Sequence, residues 1–164
     1  MGPVLALHLA ERSGWALWHT AERVETGRLR LAQLSLGDGL ACFRNWLQRQ
    51  LGETPCWGLA FEAPWDGPRC GREHARQLIG LASVAEMTAR ELGVARVVAA
   101  SNLAVRRHFL GRSLGRQAEL RRLTMERCRA LGWTPASDAE AAALALMHWA
   151  LALWQIPLET SNVA

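Results

Sequence analysis

The stretch Cys56-Trp57-Gly58-Leu59-Ala60-Phe61-Glu62 decides the fold. Its first six residues carry no charge and follow a proline, so they read as a central strand buried on both faces. Glu62 stands directly at the C-terminal end of that run, where open α/β sheets gather their ligands and their chemistry. A carboxylate at a buried strand end needs a partner or a cation.

The neighbouring segments agree with a sheet covered by helices. Residues 38–51 place Leu40, Phe43, Leu47 and Leu51 on one helical face, and Gly52 and Pro55 end that helix. Residues 63–71 form a loop with two prolines and two glycines. A helix over 72–92 follows, with Leu78, Leu81, Ala85 and Ala89 inward and Gly93 as its stop. Further along come a strand over 96–100, a short helix over 102–109, a glycine-flanked loop over 111–115, a basic helix over 116–131 and a final helix over 137–154. Toward the N-terminus, residues 4–9 read as a buried strand, Ser13-Gly14 as a turn, and 15–19 and 24–34 as two more strands. The order predicts an α/β domain over residues 1–164, with a mixed five-stranded sheet and helices on both faces. There is no GxGxxG, so a dinucleotide fold is excluded.

Composition narrows the function. The chain has 164 residues, half of them hydrophobic and 21% charged, which excludes disorder and a disulfide scaffold. All 19 cationic residues are arginine, and against 15 acids the net charge is +4. Eight arginines and two glutamates fall between residues 106 and 129, a net +6 in 24 residues. That segment carries more than the whole chain's excess and suits a phosphate backbone; a merely solvated helix face is the plainer reading. Four scattered cysteines without a CxxC pair argue against zinc and for reduced thiols in the cytoplasm. No signal peptide and no membrane span is expected.

Three features converge on a candidate centre. Glu62 ends the central strand, His8 lies in the strand expected beside it, and Asp138 and Glu140 open the final helix. Clustered carboxylates are what a divalent-metal nuclease needs, because hard cations take oxygen ligands and two ions about 3.5–4 Å apart can clamp a phosphodiester. Ser137-Asp138-Ala139-Glu140 is also an S-x-x-E capping box, and His8 also fits a hydrogen-bonded core histidine. Both readings stay open. Trp65, in the loop after Glu62, is a candidate for stacking on a base or touching a partner, and Asp66 beside it is a further acid.

Several motifs together carry a family resemblance. They are Val4-Leu5-Ala6-Leu7-His8-Leu9, Glu62-Ala63-Pro64, Val105-Arg106-Arg107-His108-Phe109-Leu110-Gly111 and the run from Glu140 to Leu151. In this order, and over nearly the whole chain, they resemble the phage-type RuvC-like Holliday junction resolvases. The resemblance implies a ribonuclease H-like fold, a homodimer, binding of branched DNA, and cleavage with Mg²⁺ or Mn²⁺. It implies Glu62 and Asp138 as metal-holding acids, with Glu140 and His8 beside them. It places Arg106, Arg107, Arg112 and Arg116 near the DNA backbone, and Arg121 continues that basic face. Two positions depart from the pattern: His8 stands where the family has an aspartate, and Ala142 where it has its last acid. A neutral imidazole carries no charge to balance two dications and suits Mg²⁺ poorly. The alternative is therefore a catalytically inactive member that keeps its grip on DNA or on a protein partner.

Overall fold

A computed structural model describes residues 2–64 and 71–158. The chain runs β1 (Val4–His8), β2 (Arg12–Thr20), β3 (Arg23–Arg30), α1 (Leu36–Glu53), β4 (Gly58–Glu62), α2 (Arg72–Glu91), β5 (Arg96–Ala100), α3 (Asn102–Leu110), α4 (Gln117–Ala130) and α5 (Asp138–Leu153). The five strands form one sheet in the order β3-β2-β1-β4-β5. β1 to β3 pair antiparallel, while β1-β4 and β4-β5 are parallel. This is the mixed α/β sheet expected, with β1 in the middle and β4 an interior strand between β1 and β5.

Side chains alternate across a strand, so each strand serves two cores. Leu5, Leu7, Leu17, Leu59 and Phe61 bury against α1 and α2, where Phe43 and Leu47 are fully enclosed. Val4, Ala6, Ala16, Ala60 and Ala100 face the other way and pack with α5 and parts of α3 and α4. α5 is apolar nearly all round, as a helix enclosed by sheet and helices must be.

Two expectations are corrected. Ser13-Gly14 is not a turn but part of β2, and the turn precedes it. The Ser13 hydroxyl donates to the Ala10 carbonyl at 2.7 Å and accepts from the Ala10 N–H at 3.1 Å, closing the turn from inside the strand. Gly14 has a different duty. A Cβ there would lie 2.0 Å from the Ala139 carbonyl oxygen, so glycine lets the start of α5 rest on the sheet. The third strand stops at Arg30 rather than running on to residue 34, and Gln33 takes a left-handed φ of 71° in the turn that follows.

Candidate functional site

The alternation that builds the two cores also aims the site. His8 continues the series Val4, Ala6, and Glu62 continues from Ala60, so both project toward α5. The register pairs Leu7 with Phe61 and Glu62 with Ala100, which brings the ends of β1, β4 and β5 level. Asn102 begins α3 two residues after β5 ends, with Ser101 as its cap: the Ser101 hydroxyl accepts from the Ala104 N–H.

These three side chains meet. His8 Nδ1 lies 2.5 Å from Glu62 Oε2, and Asn102 Nδ2 donates to Glu62 Oε1. An ionised carboxylate only accepts, so Nδ1 carries the proton of that hydrogen bond. Burial works to raise the Glu62 pKa, but the hydrogen bond and charge of His8, the Asn102 amide and the nearby Arg106 outweigh it and hold the pKa below the ordinary carboxylate value.

A cavity of about 500 Å³ opens over this network, between the strand ends, α3, α4 and the first turns of α5. Asp138 stands exposed on its wall, and Ala142 contributes only a methyl group there. Glu140 does not join them. Its Oε1 accepts from the Ser137 hydroxyl at 3.1 Å and pairs with Arg28 Nε at 3.2 Å. Its Oε2 accepts from the Ala136 N–H at 3.1 Å and the Thr26 hydroxyl at 3.2 Å. The capping reading therefore holds for Glu140, which ties the α5 start to β3, and its proposed place among catalytic acids does not fit this geometry.

The arginines divide. Arg106 and Arg121 line the cavity. Arg112 is exposed and paired with Glu119 at 2.6 Å, and Arg107 and Arg116 are exposed away from the cavity wall. Sequence reading missed Arg12 and Arg28, which reach the cavity from β2 and β3, because charge density along the chain cannot show what a hairpin folds in. It also missed Asn102, whose only signal was its position at a helix start just past a strand. Trp65 and Asp66 lie outside the described residues.

The described residues at the cavity supply too few oxygen ligands for two metal ions. Among the described residues, no group of three or more histidine, cysteine or acidic side chains is arranged to hold an ion. Positions 8 and 142 supply an imidazole and a methyl where hard cations take oxygen ligands. Among the described thiols, burial raises Cys56 to about 11 and Cys128 to about 12, as inert core cysteines, while Cys42 is exposed. No described helix is long and apolar enough to cross a membrane.

No protein-family model matches the chain, and no curated protein matches it. Solved structures do. RuvC of Thermus thermophilus in complex with a Holliday junction substrate superposes with a TM-score of 0.70 at 16% identity, over 95% of this chain and 96% of that one. A second Thermus thermophilus RuvC structure gives 0.65 at 17% identity, over 94% and 97%. The yeast mitochondrial Holliday junction resolvase gives 0.59 at 10% identity, over 93% and 82%. The chain has the RuvC-like resolvase fold.

Proposed function

We propose that this chain binds branched DNA and that its central cavity is not built to cut DNA with two metal ions. The observation that carries the reading is the segment 106–129, with its net charge of +6, on a fold shared with a protein solved on a Holliday junction. Guanidinium groups match phosphate oxygens bidentately, and repeated phosphate contacts give affinity without reading bases. The missing half of a nuclease is the ligand set: among the described residues, His8 and Ala142 leave Glu62 and Asp138 as the acids at the cavity. Mg²⁺ or Mn²⁺ would be the cofactor of a cutting enzyme, and this reading requires neither. It includes a homodimer, which would set two arginine segments on two arms of one junction, and a cytoplasmic location, in keeping with free thiols at the described Cys42, Cys56 and Cys128.

A labelled four-way junction, incubated with Mg²⁺ and separately with Mn²⁺ and run on native and denaturing gels, tests this. The expected result is a retarded band without nicks. With about six phosphates neutralised, affinity should fall roughly as the fifth power of salt concentration. Paired symmetric nicks that vanish in Glu62→Gln would overturn the non-cutting part. No retarded band at low salt would remove DNA. Light scattering at the mass of a single chain would remove the homodimer.

A further inference from the structure

Among the described residues, the charged side chains on the wall of the central cavity are mostly cationic. Among the described residues, Arg12, Arg28, Arg106 and Arg121 converge on it from four different elements, against Glu62 and Asp138. The acids are unevenly committed. Glu62 is bound by His8 and Asn102, and Arg28 is paired with Glu140. Arg106 donates to Gln117 Oε1 at 2.9 Å, a neutral partner that orients the guanidinium without cancelling its charge. Arg12 and Arg121 have no ion pair among the described residues.

The electrostatics point the same way. Burial lowers the Arg106 pKa, Glu62 opposes that, and the charge of Arg121 lowers it further. Two guanidiniums therefore repel across a water-accessible space, and an anion between them would relieve that repulsion. Asp138, exposed on the same wall, is the uncommitted carboxylate among the described residues that opposes an anion there.

We infer that the cavity is a metal-independent phosphate seat, in which Arg106 and Arg121, with Arg12 beside them, hold the oxygens of one phosphate group where carboxylates would have held cations. In this arrangement Glu62 is a positioning residue. Its charge attracts Arg106, and its oxygens fix His8 and Asn102 beneath the seat. The phosphate is a backbone phosphodiester if the branched-DNA reading holds, on which that part rests, and a free phosphate group otherwise.

Two titrations in EDTA separate the possibilities: inorganic phosphate followed by calorimetry, and a labelled four-way junction followed by anisotropy across a salt series. The proteins are the wild type, Arg121→Ala, Arg121→Lys, and Arg49→Ala as a control on α1, with circular dichroism melts confirming that each variant is folded. Wild type should bind phosphate in EDTA, with no gain on adding Mg²⁺ or Mn²⁺. Arg121→Ala should weaken phosphate about tenfold, Arg121→Lys should recover part of that, and Arg49→Ala should match wild type. For the junction, Arg121→Ala should lower the slope of log affinity against log salt by about one. Phosphate binding that appears only with added metal would overturn the inference, as would an Arg121→Ala protein identical to Arg49→Ala in the phosphate titration. Phosphate held in EDTA without any junction binding would uphold the seat and defeat the branched-DNA reading. A junction bound with no phosphate effect of Arg121 would do the reverse.

Discussion

The face of the sheet under α1 and α2 presents Leu5, Leu7, Leu17, Leu59 and Phe61, while the face under α5 presents Ala6, Ala16, Ala60 and Ala100 from the same strands. On the first face, large apolar side chains fill the gap between layers. On the second, methyl groups leave room for a helix to lie close, and Gly14 lets the α5 backbone touch the sheet. The second face also ends in polar groups, with His8 and Glu62 extending the alanine rows. The division of labour follows. Both faces bury a core, and the face under α5 also carries a cavity over its strand ends.

The largest test of that contrast is Phe43→Ala. Phe43 is fully buried on the leucine face, and its loss should cost about 3–5 kcal/mol in a denaturant titration. Junction affinity, measured while the variant is still folded, should be unchanged, because α1 contributes nothing to the cavity. Gly14→Ala tests the opposite face. The added methyl meets backbone rather than a flexible side chain, so α5 must shift, at a cost near the top of the ~1–3 kcal/mol range for overpacking. Unlike Phe43→Ala, it should also weaken DNA binding, since α3 and α4, which carry Arg106 and Arg121, pack on the helix that shifts. Equal effects of the two variants on binding would erase the distinction between the faces.

A smaller effect comes from protons. His148 on α5 lies 2.8 Å from His108 Nε2 through its Nδ1, and packs edge-on to Phe109 and Trp133. Burial, with the charges of His108 and Arg127, pushes its pKa down to about 4. The unfolded chain takes up that proton near the ordinary value of 6.5. A histidine kept neutral by folding therefore stabilises above pH 6.5, and that stability is lost as pH falls from 6.5 toward 4. After discounting for partial solvent exposure, the loss should be about 1–2 kcal/mol. Melts at pH 7 and pH 4.5 should show a smaller difference in His148→Phe than in wild type, and equal differences would refute the shift. The smallest effect expected is from Ser137→Ala. Removing the cap that accepts from the Glu140 N–H should cost about 1 kcal/mol by thermal melt, and should leave β1 to β3 undisturbed.

Much of this was readable in the chain. The apolar run before Glu62, the alternation of the first strands and the helical spacing of Phe43, Leu47 and Leu51 are local patterns, and local patterns survive folding. The Ser13-Gly14 pair misled because a serine and a glycine usually mark a turn; here the hydroxyl closes the preceding turn, and the glycine makes room for a helix more than a hundred residues away. Glu140 was ambiguous for a similar reason, since a capping box and an acidic cluster share the same letters. Only its partners Thr26 and Arg28 separate them.

By itself, then, the sequence determined the element order, the two-sided sheet, the placement of Glu62 at a strand end and the positive segment 106–129, because each depends on spacing along the chain. The tertiary structure alone decided which charges meet. It turned Glu140 away, committed both Glu62 oxygens to His8 and Asn102, and folded Arg12 and Arg28 in beside Arg106 and Arg121. Charge interactions depend on distances through space, and strand register and helix approach set those distances.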